Sequence, residues 1–213
     1  MEHRIEYHNV SRETFEKINE LFQKYSSNLK KYADLLYWWN NRLNLVSRNA
    51  SRNLIEEHIY HSLLLSYIPS FYLTDNFVDA GTGGGLPGIP LSICFPQRHF
   101  YLNDIVSKKI FVVKQIIKDL GLSNAETFSG PIESFDINID GGISIISKHA
   151  FKLDDLISLT NNINWFEIFL LKGCRFSDEL STIPYPLYID CYQLDNGTNN
   201  KFYTDKCMLR ISR

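Results

Sequence analysis

The sequence has no cysteine pair at metal-binding spacing, no long apolar run and no surplus of positive charge, and each absence narrows what its 213 residues can do. Cys94, Cys174, Cys191 and Cys207 are scattered without a CxxC among them. That argues against a zinc site or a disulfide framework and fits a reducing cytoplasm, with no metal expected. Residues 1–10 carry Glu2, His3, Arg4, Glu6 and His8 in place of an apolar signal segment. Apolar stretches such as 163–171 are too short or too charged to span a bilayer. A cytoplasmic protein without a membrane partner is expected. With 22 Lys and Arg against 24 Asp and Glu, the whole-molecule field does not attract nucleic acid, so any such role must rest on a local patch. Repeats, low-complexity tracts and Pro/Gly/Ser linkers are also missing, which leaves one core plus an extension.

What is present falls into two textures. Over residues 11–69 the apolar positions recur at helical spacing: Phe15, Ile18, Leu21 and Phe22 follow Ser11, a plausible N-cap. Tyr32, Leu35, Leu36 and Trp39 mark a second helix ending near Asn40, and residues 54–68 a third, stopping before Pro69. From Asn76 onward short apolar runs alternate with amphipathic segments, the pattern of a parallel sheet with crossover helices. Strands are predicted at 76–79, 98–103, 125–129, 143–147 and 166–172, and helices at 86–95, 106–120 and 152–160. Two more strands, 188–194 and 207–211, would pair antiparallel around an Asn196-Gly197 turn. The expected architecture is α/β: a helical extension over 1–70, then a Rossmann-like, seven-stranded doubly wound core over 71–213.

The run Asp79-Ala80-Gly81-Thr82-Gly83-Gly84-Gly85-Leu86-Pro87-Gly88 closes the first of these core strands and opens a helix. Such a turn lies at the carboxyl edge of a parallel strand, where these folds bind ligands, and glycines let a ligand approach the backbone. Asp-x-Gly-x-Gly-x-Gly is the pattern of class I S-adenosylmethionine-dependent methyltransferases, in which the loop holds the amino-acid end of the cofactor. The same letters also satisfy G-x-G-x-x-G, with Asp104 about 20 residues on, as an NAD-dependent oxidoreductase would require. The acid before the first glycine, and Pro87 where a pyrophosphate-binding helix would begin, favour the methyltransferase. The expected cofactor-binding set is Asp79, Gly81, Thr82, Gly83, Gly85, Leu86, Asp104, Ile132 and Glu133. Asp104 would accept the ribose hydroxyls, and Ile132 and Glu133 would lie beside the adenine.

The segment after the fourth core strand reads Ser147-Lys148-His149-Ala150-Phe151. It has no Asn/Asp-Pro-Pro-aromatic box for an exocyclic amine, and the chain has no Pro-Cys pair for pyrimidine C5 chemistry. An acceptor that is already nucleophilic, or a small molecule, remains. Guanine N7 has a free lone pair and needs no general base, so catalysis would be positioning, with no catalytic acid or base. Lys148 or His149 would hold a phosphate or the guanine O6. Between residues 24 and 52 six cations (Lys24, Lys30, Lys31, Arg42, Arg48 and Arg52) face one acid, Asp34, among Tyr32, Tyr37, Trp38 and Trp39. This is a footprint for RNA, or an ordinary solvated face over core aromatics.

The blocks Trp39-Asn40-x-x-Leu43-Asn44-Leu45, His58-Ile59-x-x-Ser62-Leu63, the glycine run continued by Ile89-Pro90-Leu91, Asp104-x-x-x-Lys108-Lys109 and Leu171-Lys172-Gly173 resemble, in order and spacing, the RsmG (GidB) family. The resemblance implies N7 methylation of one guanine in the 530 loop of bacterial 16S rRNA, with S-adenosylmethionine as cofactor. Its partner would be 16S rRNA or the small ribosomal subunit, and the enzyme a monomer. It matches Gly81, Gly83 and Leu86 to the cofactor loop, Asp104 to the ribose acid and Ile132 and Glu133 to the adenine pair. Lys172 would stand near the acceptor alongside Lys148 and His149. The chain departs from the family at His61 (usually Asp), Pro131 (usually Arg) and Lys148-His149 (usually Arg-Ala). These departures keep open a non-catalytic RNA-binding protein that retains the cofactor pocket.

Overall fold

The computed structural model describes residues 3–47, 50–136 and 142–213, and for residue 196 the backbone alone. Met1, Glu2 and Arg48 therefore lie outside the described residues. Three helices precede the core strands: α1 (Arg12–Lys24), α2 (Ser26–Asn40) and α3 (Arg52–Leu63). Ser11 caps α1 by accepting from the Thr14 amide, and Ser51 caps α3 by accepting from Leu54. The third predicted helix tightens after Leu63 into 3-10 turns at Leu64–Tyr67 and Pro69–Leu73. Pro69 cannot continue an α-helical hydrogen-bond ladder.

The sheet has eight strands: β1 (Arg4–Asn9), β2 (Asn76–Ala80), β3 (His99–Asp104), β4 (Ala125–Ser129), β5 (Ile143–Lys148), β6 (Trp165–Gly173), β7 (Tyr188–Gln193) and β8 (Lys206–Ser212). Their order is β1-β7-β8-β6-β5-β2-β3-β4, and β8 alone runs antiparallel to its neighbours. The crossover helices are α4 (Gly88–Cys94), α5 (Ser107–Leu120) and α6 (Leu153–Leu159). The chain steps outward from β2 to β3 and β4 on one side, then returns to β5 on the other. The carboxyl ends of β2, β3 and β5 thus meet at the point where strand order reverses, the usual ligand crevice of such sheets.

Two expectations are corrected. Among the described residues the sheet has eight strands, not seven, because Arg4–Asn9 pairs parallel with β7, Arg4 opposite Tyr188 and Asn9 opposite Gln193. This is an edge strand with mostly solvated side chains, Arg4 and Glu6 charged among them, the kind that blunts a sheet edge and gives little apolar signal. Nor is the β7–β8 connection a tight hairpin around Asn196-Gly197. It runs over residues 194–205 through two short 3-10 turns, Asp195–Gly197 and Lys201–Tyr203. Leu194 and Tyr203 are buried within it, so apolar burial folds the connection back against the helical layer.

Side chains alternate across the sheet. One face, with Phe77, Phe100 and Phe169, packs in a single core with α1–α5, including Leu29, Tyr32, Leu36, Ile55 and Ile59. The rings of Phe71, Phe77 and Phe100 stack in series at 4.7 and 5.2 Å. The other face, with Val78, Ile145 and Leu170, packs on α6. The opening helices therefore share the core that holds the glycine turn.

Candidate active site

A hydrogen-bond network holds the glycine turn. Asp79 has no exposed surface, and its Oδ2 accepts from Thr82 Oγ1 at 2.6 Å and from the Gly88 amide at 2.8 Å. Burial pushes its carboxyl up to about 7 against the pull of those two donors. Asp104 Oδ2 accepts from the Gly83 amide at 3.0 Å and its Oδ1 from the Val106 amide at 2.9 Å; Lys109 Nζ stands 3.6 Å from Oδ2. The Thr82 amide donates to Asn103 O, and those of Gly85 and Leu86 to Thr82 O. These amides are committed within the protein and are not presented to a ligand phosphate.

The helical layer clamps the turn from above. The buried Tyr32 hydroxyl donates to Gly84 O at 3.0 Å. Asn40, at the end of α2, accepts the amides of Leu45 and Val46 on Oδ1 and donates from Nδ2 to Ser47 O. That one side chain shapes the segment lying over the glycines. Gly83 has a φ of +58°, and a Cβ there would sit 3.0 Å from Leu45 O. The backbone turn and the protein packed against it therefore both call for glycine here, beside the ligand approach expected from the sequence.

Between turn, clamp and sheet edge opens a cavity of about 700 Å3. Of the residues anticipated from sequence, Gly81, Thr82, Gly83, Leu86, Asp104, Ile132, Glu133, Lys148 and His149 line it. Asp79 and Gly85 are not among the lining residues, and Asp79 braces the turn from behind. Lys172 faces a neighbouring hollow, pairing with Glu179 at 2.8 Å and donating to Phe151 O. It supports the segment bearing His149 and does not open into the main cavity.

At the cavity mouth lies a basic cluster that sequence reasoning assembled only in part. Lys148 Nζ is 2.8 Å from His58 Nδ1, and the His61 and His149 rings lie 6.0 Å apart. Burial, then Lys206, bring the Lys148 ammonium down to about 7, with Asp79 acting the other way. Burial and the neighbouring cations lower His58 to about 3 and His149 to about 4. His61, fully buried, is held well below its ordinary range for the same reasons, and neither ring nitrogen has a hydrogen-bond partner. Near neutral pH the histidines are uncharged and the lysine carries the titrating proton.

His58, Lys206 and the lining residues Leu45, Val46 and Ser47 had no assigned role in the sequence reading. The His58 block and Asn40 were the available signals, without the tertiary contact that gives them meaning. Part of the basic aromatic stretch is engaged within the protein. Arg52 is paired with Asp34 and Glu56 at 2.6 and 2.8 Å, Lys31 donates to Asp119 O, and Tyr32 is core. Arg42 instead lies over the Trp38 ring at 3.5 Å.

Residues 25–191 match the family model described as rRNA small subunit methyltransferase G. This chain belongs to that family. A Chlorobium luteolum relative named ribosomal RNA small subunit methyltransferase G is 44% identical over 193 residues, covering 85% of this chain and 79% of its own length. One from Phocaeicola vulgatus with the same name is 31% identical over 209 residues, covering 91% and 98%. In fold, the chain is similar to an O-methyltransferase from Bacillus cereus solved with S-adenosylhomocysteine, with a TM-score of 0.55 at 14% identity and coverage of 86% and 91%. It is also similar to the S-adenosylmethionine-dependent methyltransferase SibL, with a TM-score of 0.54 at 12% identity and coverage of 76% and 57%. The methyltransferase G family and the class I fold make the chain an S-adenosylmethionine-dependent methyltransferase. The nicotinamide reading of the glycine run is set aside with it, consistent with the amides the turn uses internally. Among the described residues, no helix is long and apolar enough to cross a membrane.

Proposed function

We propose that this chain transfers the methyl group of S-adenosylmethionine to N7 of one guanine in the 530 loop of bacterial 16S rRNA, acting in the cytoplasm as a monomer on the RNA or the small subunit. The observation that carries this is one cavity whose lining joins a carboxylate, Asp104, at the end of β3 to the basic cluster of Lys148, His58 and His149.

The residues present fit the cofactor. Each Asp104 oxygen accepts one amide and keeps a lone pair for a ribose hydroxyl. Ile132 and Glu133 would flank the adenine, and the turn of Gly81, Thr82, Gly83 and Leu86 would take the amino-acid end, with Asp79 and Gly85 stabilising it. When bound, the cofactor supplies an electrophilic sulfonium methyl. A ring nitrogen with a free lone pair needs no proton removed, so the protein's task is to hold the acceptor in line and exclude water. Lys148 donates to the guanine O6 or an adjoining phosphate, His58 fixes the lysine, and Lys172 holds the Phe151 segment beside it. Residues 1–70 serve as the acceptor-side extension of the catalytic core at 71–213.

Titration calorimetry and a tritium-transfer assay test this together. S-adenosylmethionine should bind and NAD should not, and label should move to 30S particles or naked 16S rRNA. Cofactor binding without transfer to either RNA would favour the non-catalytic RNA-binding alternative.

A further inference from the structure

Next to segments that line the cavity, two helices present aromatic rings to solvent. Trp38, near the end of α2, is 48% exposed, and Phe111, on the second turn of α5, is 57% exposed. Trp39 bridges them, its ring 4.8 Å from Trp38 and 6.4 Å from Phe111, edge-on to both. The Arg42 guanidinium lies over Trp38 and is fixed there by donating from Nη1 to the Trp38 carbonyl at 2.7 Å. Both ends of this strip lead along the chain into the cavity wall. Arg42 precedes the lining residues Leu45, Val46 and Ser47, and α5 is preceded by Ile105 and Val106, which stand exposed on the cavity rim.

An apolar strip continuous with a substrate cavity marks a partner surface, and its charge selects the partner. Residues 35–47 and 105–118 contain no Asp or Glu, though Asp34, Asp104 and Asp119 bound them; they carry Arg42, Lys108, Lys114 and Lys118, with Lys109 drawn to Asp104 at 3.6 Å. Flat aromatic faces with an excess of cations around them suit a polyanion that itself offers flat faces. Unpaired RNA has that chemistry, with bases stacking on the rings and phosphates on the cations. A guanine delivered into a cavity is withdrawn from its own stack, and its neighbours need new stacking partners.

We propose that Trp38, Phe111 and Arg42 form a stacking platform for the unpaired nucleotides flanking the acceptor guanine, separate from the groups that hold the guanine itself. The proposal rests on the reading of the acceptor as rRNA. The platform acts on RNA affinity and leaves the transfer step alone.

The test uses the full chain with Trp38→Ala and Phe111→Ala, together and singly, so that one variant remains informative if the pair disturbs folding. Two readouts are taken: binding of a fluorescein-labelled single-stranded RNA spanning the 530 loop, and methyl-transfer kinetics on 16S rRNA. RNA affinity should fall, and KM for RNA rise, by roughly 5- to 100-fold, with kcat and S-adenosylmethionine affinity unchanged. Trp38→Phe, which keeps a ring, should recover most of the loss. Equal RNA binding by the wild type and the alanine variants overturns the platform, and so does a loss confined to kcat. A wild type that binds the RNA but transfers no methyl group overturns the proposed reaction, while weaker binding by the variants still upholds the platform.

Discussion

Lys148 Nζ and His58 Nδ1 lie 2.8 Å apart across ninety positions of chain, one at the end of β5 and the other on α3. With His58 lowered to about 3, its Nδ1 accepts from the lysine, and with Lys148 brought to about 7 the amine gains or loses charge in the physiological range. The charged groups that face it are Lys206, which lowers its affinity for the proton, and Asp79, which raises it. His149, lowered to about 4, adds no charge there above that value.

KM for the RNA should therefore increase as pH rises through about 7, because the lysine sheds its proton and with it a charged contact to the acceptor. Lys148→Arg keeps the charge and should flatten that profile. Lys148→Met should raise KM roughly 10- to 100-fold at pH 6, the worth of a hydrogen bond to a charged group. Kinetics from pH 6 to 8.5 on the three proteins decide it, and an unflattened profile in the arginine variant would place the titration elsewhere.

Asp79 is expected to hold the glycine turn together more than to touch ligand. Asp79→Ala leaves the buried Thr82 hydroxyl and Gly88 amide without their acceptor, at roughly 1–3 kcal/mol each, measurable by denaturant unfolding. Because the folded carboxyl is raised to about 7 from 3.8, the folded state keeps a proton that the unfolded chain has released. Its contribution to stability is full below pH 3.8 and is lost as pH rises through 7. Asp79→Asn, which cannot titrate, should remove that part of the slope of unfolding free energy against pH.

Gly83 and Gly121 separate strain from position. Both have positive φ, +58° and +66°, but a Cβ at Gly83 meets Leu45 O whereas Gly121, after the end of α5, faces open space. Alanine at either should cost about 1 kcal/mol of backbone strain. Gly83→Ala should add a further loss from the crowded clamp and weaken S-adenosylmethionine binding, and Gly121→Ala should leave that binding unchanged. Unfolding curves and calorimetry on the two variants check this, and equal cofactor affinity in both would contradict the placement of the turn against the clamp.

What the sequence made legible follows from where each residue draws its energy. Strands β2, β3, β5 and β6 were readable because burial writes itself as short apolar runs, and the turn after β2 because glycine spacing is local. β1 was not, since Arg4–Asn9 owes its place to backbone pairing with β7 and spends its side chains on solvent. The same limit hid Asn40, whose three hydrogen bonds shape the cavity roof. Lys206 reaches the cluster only because the β7–β8 connection packs back against the helices. Asp104 and Lys148 were found because they sit at strand ends, where the fold class itself says side chains meet.

The proposed reaction is tested most directly by mass-spectrometric mapping of 16S rRNA from the source organism with the gene present, deleted, and restored as wild type or as Asp104→Ala. N7-methylguanine in the 530 loop should vanish on deletion and return with the wild-type gene but not with Asp104→Ala. A 530-loop guanine still methylated at N7 in the deletion strain would contradict the account.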